Sequence, residues 1–153
     1  MSYHNGPVWP HDNGLIACGL ARYGYKREAL QLLTGLFDAA NFLELHRLPE
    51  LLCGFTRMPG QGPTLYPVAC SPQAWASGAV FQMLQASLGL TFAADKPQIR
   101  VYPPQLPNYI DWMRIEGLCF GEGTIDLMLR RHANGVGING ERKEGDIDVA
   151  IVV

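Results

Sequence analysis

The apolar pattern of the chain changes its period once, between residues 90 and 97, and this change limits the possible folds more than any other feature. Before it, apolar residues recur at the three- and four-residue spacing of amphipathic helices. After it, they alternate with polar residues, as in strands with one buried face. The pattern predicts helices over residues 12–23, 26–43 and 72–88. It then predicts an antiparallel sheet from segments between 97 and 153, without a parallel strand–helix–strand unit.

Residues at the ends of these helices predict where each one begins and stops. Gly24 follows the first apolar stripe and is typical of a helix C-terminus. Asp12 or Asn13 could cap the start of the same helix. Ser71 followed by Pro72 predicts the cap and first position of the third helix.

The pattern therefore predicts an α+β protein with a helical portion over residues 1–92 and a small antiparallel β subdomain over 93–153. A chain of 153 residues that is 48% hydrophobic can bury one core of ordinary domain size, or two smaller ones. Between the second and third helices lies a segment rich in Pro and Gly, residues 44–70. Loops of this length in compact domains are usually functional or disordered, and the apolar content of this segment favours a functional loop.

Charge and composition exclude some classes of partner. The net charge is −2, 17% of residues are charged, and no run of Lys or Arg follows a phosphate backbone, so nucleic acid is not an expected partner. The apolar stretches are interrupted and too short for a bilayer span, and polar residues directly after Met1 predict no signal peptide.

The cysteines form no CxxC pair and are predicted to be reduced, mostly buried thiols of a cytoplasmic protein. A disulfide framework is the less favoured alternative.

The opening segment, SYHNGPVWPHDNG, concentrates residue types that bind ligands. Aromatic rings, imidazoles, amides and a carboxylate follow one another on a path that Gly and Pro residues restrict. The face of a Trp suits the apolar C–H face of a sugar, and amides and carboxylates suit its hydroxyl rim. The candidate substrate-binding residues are Tyr3, His4, Asn5, Trp9, His11 and Asp12.

Two other interpretations of this segment stay open at the level of sequence. Trp9 could belong to the core. His4, His11 and Asp12 could bind the metal of a metal-dependent hydrolase, although their spacing matches no common ligand pattern.

A second candidate lies in the long loop, in the stretch RLPELLCGF. Glu50 follows Pro49 and is surrounded by apolar residues. A carboxyl group in such surroundings can be tuned to act as an acid or a base. Most loop carboxylates are solvated, so a purely structural Glu50 is the alternative.

Three blocks together resemble one family. YHNGPVWPHDN followed by a helix, then RLPELLCGF, then YPVACSPQAWASGA, resemble in order and spacing the C-terminal third of the bacterial amylo-alpha-1,6-glucosidase or glycogen-debranching-like family. The later stretch VYPPQLPNYIDWMRIEGLCFGEGTIDLML resembles that family's C-terminal extension. The blocks cover roughly residues 2 to 80.

The resemblance implies a six-hairpin (α/α)6 toroid and an inverting glycosidase mechanism. In that mechanism an acid protonates the glycosidic oxygen while a carboxylate about 6.5–9.5 Å away activates water. By motif position, Glu50 matches the general base. Trp9, His11 and Asp12 match the sugar-binding loop, and Gln73 and Trp75 match the helix start that borders the pocket. The implied substrate is an oligosaccharide or glucan, with no cofactor and no metal.

The family's general acid, an Asp, lies before the opening motif, so this chain is expected to carry only one half of the catalytic pair. It would also contribute a partial toroid of about three helices. We therefore expect a C-terminal fragment that is inactive alone and associates with itself or with the missing N-terminal portion. A non-catalytic carbohydrate-binding remnant is the first alternative, and a metal-dependent hydrolase the second.

Overall fold

The structure, a computed structural model, describes residues 2–152 and shows an α+β protein. The chain divides into two compact units, here called the N-terminal unit and the C-terminal unit, and the boundary in the sequence falls between Leu84 and Gln85. The helices are α1 (Pro10–Arg22), α2 (Lys26–Ala40) and α3 (Ala74–Leu88), with a short 3-10 helix at Glu44–His46. The strands are β1 (Leu90–Phe92), β2 (Gln98–Val101), β3 (Trp112–Phe120), β4 (Gly123–His132), β5 (Gly135–Glu144) and β6 (Asp148–Ile151).

Helix α1 begins two residues earlier than predicted and ends where Gly24 predicts. Pro10 occupies the first turn after Trp9, which stands at the N-cap without a side-chain capping bond, so neither Asp12 nor Asn13 is the cap. At the other end Gly24 has a φ of 89°, and the Tyr25 amide donates to the Leu20 carbonyl at 2.8 Å. This is a Schellman motif, for which a glycine is the least strained residue.

The other two helices exist as predicted but are shorter. Helix α2 ends at Ala40, three residues before the predicted end. Helix α3 begins at Ala74, and Gln73 rather than Ser71 lies directly before it, where the Gln73 side-chain oxygen accepts from the Ala74 amide at 3.1 Å. The Ser71–Pro72 peptide is cis.

Small residues let the helices of the N-terminal unit pack closely. A Cβ added at Gly14 in α1 would lie 2.6 Å from Gln82 Oε1 of α3. Eight buried apolar residues of this unit form a cluster between the helices: Ala17, Ala29, Leu33, Leu36, Leu48, Ala76, Ala79 and Met83. Four of these eight are alanines, whose small side chains allow the backbones to approach one another.

The C-terminal unit contains two three-stranded sheets rather than one. Strands β3, β4 and β5 form an antiparallel meander, and the second sheet has the order β1-β2-β6. The prediction of antiparallel pairing is correct for every pair except β2 with β6, which is parallel. No tight turn joins those two strands, so hairpin geometry does not fix their direction. The connection between them, residues 102–147, contains no helix.

Two further sequence predictions can be compared with the described residues. The four cysteines are free, as predicted, but Cys70 and Cys119 are exposed and Cys18 and Cys53 are only partly buried, so the prediction of mostly buried thiols is wrong. Among residues 2–152, no helix combines the length and the apolarity needed to cross a membrane.

Candidate functional site

Backbone pairing brings the opening segment beside the segment that carries Glu50. The amides and carbonyls of Val8 and Leu52 exchange hydrogen bonds of 2.8 and 2.9 Å. On the other side, the Glu50 amide donates to the Cys70 carbonyl at 2.8 Å and the Cys53 amide to the Thr64 carbonyl at 2.9 Å. Residues 50–53 therefore lie between two other parts of the chain, and both parts supply side chains around Glu50.

Two glycines allow the opening segment to approach this closely. Gly6 has a φ of 92°, a conformation that L side chains rarely adopt. A Cβ added at Gly54 would overlap the carbonyl oxygen of Gly6. Gly54, the glycine of the CGF sequence, is therefore needed for this close backbone contact and not for a turn.

Glu50 is the buried acidic group of this site, with 9% of its surface exposed. Its Oε2 accepts from the Cys70 amide at 3.1 Å, and its carboxylate also accepts from the Tyr3 hydroxyl and the Cys70 thiol. Hydrogen bonds donated by Tyr3 and Cys70 hold the pKa of the Glu50 carboxyl below its ordinary value, although burial acts in the opposite direction. The bond to Glu50 likewise raises the pKa of Tyr3 to about 12. Glu50 is therefore ionised at neutral pH.

Aromatic rings form a continuous cluster beside the carboxylate. Tyr3 makes edge-to-face contacts with Trp9 at 5.2 Å and with Tyr66 at 5.5 Å between ring centroids. His4 contacts Tyr3 edge to face at 4.9 Å and lies parallel to Trp9 at 5.9 Å. Tyr3, His4, Trp9 and Tyr66 together form the aromatic wall of this site, with ring contacts in the geometries that aromatic side chains prefer.

His11 extends this aromatic wall to Trp75 of helix α3. Its ring stacks on Trp75 at 4.3 Å and meets Trp9 edge to face at 5.6 Å. Its Nε2 lies 3.1 Å from Asp12 Oδ1, while its Nδ1 is buried and has no hydrogen-bond partner within residues 2–152. The charge of His11 makes a smaller contribution to lowering the pKa of Glu50.

Contacts thus link Glu50 with most of the residues that the sequence singled out: Tyr3, His4, Trp9, His11, Asp12 and Trp75. Two others are not linked to Glu50 by a side-chain contact in the described part of the chain, although the Gln73 amide donates to the Leu48 carbonyl at 3.2 Å, two residues before Glu50. Asn5 pairs with Ser2 through the backbone, and Gln73 bonds to the start of α3.

Two residues of the site were not among the sequence candidates. Tyr66 contacts Tyr3, and Cys70 donates to Glu50 from both its amide and its thiol. Both belong to the block YPVACSPQAWASGA, whose first residue is Tyr66. The block was therefore the available signal, but nothing in it distinguished these two positions.

Metal ligation by the opening segment gains no support from the geometry. Among residues 2–152 no group of three or more His, Cys, Asp or Glu side chains is placed to hold a metal ion. His11 and Asp12 face each other, whereas His4 lies against Trp9.

Replacing Tyr3 by Phe is expected to raise the pKa of Glu50. The Tyr3 hydroxyl stabilises the ionised carboxylate, so its loss moves the titration of Glu50 to higher pH. Carboxyl-carbon NMR of the labelled protein measures this titration. Tyr25→Phe, at an exposed tyrosine beyond α1, is the matched control and should leave it in place. An unchanged Glu50 titration in Tyr3→Phe would contradict the role given to this hydroxyl.

No protein-family model matches this chain, and no curated protein is found to match it.

Proposed function

We propose that this chain carries the general-base side of an inverting α-glucosidase of the glycogen-debranching kind. The observation that carries the proposal is the buried Glu50, whose carboxylate accepts hydrogen bonds from Tyr3 and Cys70 beside a wall of aromatic rings. A base must be unprotonated before it can accept a proton, and these hydrogen bonds favour that state, while the lowered pKa also makes the carboxylate a weaker base. The resemblance of the three sequence blocks to glycogen-debranching-like enzymes supports the same assignment.

In the proposed reaction, Glu50 accepts a proton from a water molecule as that water attacks the anomeric carbon of the sugar. The bond from this carbon to the glycosidic oxygen breaks, and a separate carboxylic acid protonates the departing oxygen. The configuration at the anomeric carbon is inverted because water enters from the face opposite to the leaving group. By the resemblance, the acid is an Asp in a portion that precedes the opening motif.

The aromatic wall would bind the glucose units. Trp75 stacks on His11 through one face and is 49% exposed, so part of its ring is open to a ligand. Asp12, more than half exposed beside His11, supplies a carboxylate for sugar hydroxyls. An aromatic surface edged by hydrogen-bonding groups is the usual composition of a sugar-binding site.

A non-catalytic carbohydrate-binding role is the second candidate. The exposed part of Trp75 favours it, since binding alone requires the aromatic surface and not a buried base. The two candidates differ in their dependence on Glu50: only the hydrolase loses a chemical step when this carboxylate is removed.

Maltotriose is expected to bind at the aromatic wall, and Trp9→Ala to weaken this binding about 5–10-fold through the loss of ring contacts. Titration of the 15N-labelled chain, followed at the Trp indole N–H groups, measures both affinities. Phe81→Ala, at a residue of α3 that is 73% exposed, is the control and should bind maltotriose as the unsubstituted chain does. If maltotriose shifts neither Trp9 nor Trp75, both candidate functions are wrong.

Association with a second copy or with the preceding portion stays a prediction. Apolar side chains exposed on the helices are consistent with it: Leu15 and Ile16 of α1 are 61% and 53% exposed. Sedimentation at micromolar concentration measures it.

A further inference from the structure

A second set of ligand-binding side chains lies in the C-terminal unit, on the face of the β3-β4-β5 sheet opposite to its core. Trp112 of β3 pairs in register with Arg130 of β4, so their side chains lie next to each other on one face. His132 is two residues further along β4 and lies on the same face. On the other face, the neighbouring pair Met113 and Leu129 packs into the core.

These side chains line an open depression of about 480 Å³. Volumes of this order accommodate small ligands. Trp112 is 63% exposed, and within residues 2–152 its ring has no aromatic partner. The remaining lining residues are Asp111, Met128 and Arg131.

A glycine on the third strand leaves room for His132. Gly137 of β5 is the register partner of Arg130. A Cβ added at Gly137 would lie 3.1 Å from His132 Nε2, so the imidazole occupies the space that a side chain would take. The backbone of β5 therefore places the imidazole next to Arg130.

The depression has an excess of positive charge. Arg114, on the same sheet face, has three acidic partners: Glu116 at 3.1 Å, Asp126 at 3.2 Å and Glu141 at 3.5 Å. Arg130, by contrast, makes no ion pair within the described residues 2–152. An unpaired guanidinium beside an exposed indole is well suited to an anionic ligand.

Arg131 adds a second positive charge beneath the depression. Its Nη2 donates to the carbonyls of Leu106, Pro107 and Ile110 at 2.7–3.2 Å, and these neutral groups do not cancel its charge. Its Nε is buried and has no hydrogen-bond partner in the described part of the chain. Asp111 is the only carboxylate among the lining residues.

We propose that Trp112, Arg130 and His132 form a binding site for a sugar that carries a phosphate group. The indole face would stack on the sugar ring, and the guanidinium of Arg130 would bind the phosphate in a charge-assisted contact. The Asp111 carboxylate favours a sugar over a bare anion, because it accepts hydrogen bonds from hydroxyls and repels a phosphate placed beside it. This inference is independent of the function proposed for Glu50.

Glucose 1-phosphate is the probe, titrated into the full 15N-labelled chain while the Trp112 indole and Arg130 side-chain N–H signals are followed. Saturable shifts of both signals are expected, with weaker binding of glucose alone and of inorganic phosphate alone. Arg130→Gln should weaken binding about 10–100-fold, as expected for losing a hydrogen-bonded ion pair. Arg142→Gln, at an exposed arginine of β5 outside the depression, should not.

The remaining variants and probes separate stacking from other modes of binding. Trp112→Ala should weaken binding about 3–10-fold and Trp112→Phe should restore part of it, because an aromatic face remains. Three results would each overturn the proposal: no saturable shift with glucose 1-phosphate, equal affinity for inorganic phosphate, or tighter binding of AMP. The titration of the unsubstituted chain gives these three results without depending on how any variant folds.

Discussion

In an active form that combines this chain with the portion expected to carry the acid, Glu50→Gln is expected to lower the hydrolysis of α-D-glucosyl fluoride by about 10²–10⁴-fold, the usual contribution of a general base. Glutamine keeps the shape of the side chain and can still accept from Tyr3 and Cys70, but it cannot take the proton of the attacking water. Maltotriose binding should therefore survive. Glu122→Gln, at an exposed turn between β3 and β4, is the matched control and should hydrolyse the fluoride normally.

The fluoride isolates the step assigned to this chain. Fluoride leaves as an anion with little help from an acid, so water attack and proton transfer to Glu50 complete the reaction. Maltotriose needs a protonated leaving oxygen, and we expect no hydrolysis of it by this chain alone. The first sugar formed from the α-fluoride should be β-glucose. Equal turnover by Glu50→Gln and the unsubstituted chain, or α-glucose as the first product, would contradict the assignment of the base.

A smaller side chain gives an independent test of the same geometry. In Glu50→Ala, azide can enter the space that the carboxylate leaves and attack the anomeric carbon of the α-fluoride. The carbon–nitrogen bond forms as the carbon–fluorine bond breaks, which gives β-glucosyl azide. Azide needs no general base because it is already an anion, so it should accelerate this variant. It should not accelerate Glu50→Gln, because the glutamine side chain still fills the space.

The helices could be predicted from the sequence because their signals are local. Amphipathic spacing located all three, and Gly24 ended α1 through a φ that favours glycine. The predicted start of α2 is correct, but those of α1 and α3 each differ by two residues because Pro10 and Gln73 stand at or directly before the first turns in place of residues with stronger capping preferences. Local preferences rank residues at a helix end but do not fix which of them the fold uses.

The pairing of β6 could not be predicted because it depends on distant parts of the chain. Alternation in DIDVAIVV predicts a strand but contains no information about its neighbour. Val149 lies beside Ile99, fifty positions earlier, and the two strands run parallel. Hairpins such as β4-β5 differ because a short turn determines both partner and direction.

The part of the candidate site that is rich in aromatic, polar and ionisable residues could be predicted from the sequence. The residues that reach it through packing between loops could not. The opening segment, which is rich in aromatic and polar residues, does lie beside Glu50. Sequence patterns indicated both. Tyr66 and Cys70 reach the site through backbone pairing between loops. The spacing of apolar residues in the sequence does not predict such pairing. The carbohydrate specificity inferred for this site has a different origin, the resemblance of the sequence blocks.

Gly54→Ala is expected to disrupt the site by separating the opening segment from the segment that carries Glu50. The added Cβ would overlap the Gly6 carbonyl oxygen, and neither backbone can yield without breaking the Val8–Leu52 hydrogen bonds nearby. Gly54 does not have a positive φ, so the effect comes from lack of space and not from the backbone angle. Overpacking of this kind destabilises proteins by about 1–3 kcal/mol, and a contact with backbone should be near the upper end.

Hydrogen exchange at the Val8 and Leu52 amides measures this effect directly, because both amides are hydrogen-bonded only while the two segments are paired. Both should exchange faster in Gly54→Ala, and maltotriose binding should weaken with them. Gly78→Ala in α3 is the matched control: its Cβ meets nothing within 4 Å, and the higher helix propensity of alanine should stabilise the protein by up to about 1 kcal/mol. Unchanged protection of Val8 and Leu52 in Gly54→Ala would show that the two segments are not held together by this close backbone contact.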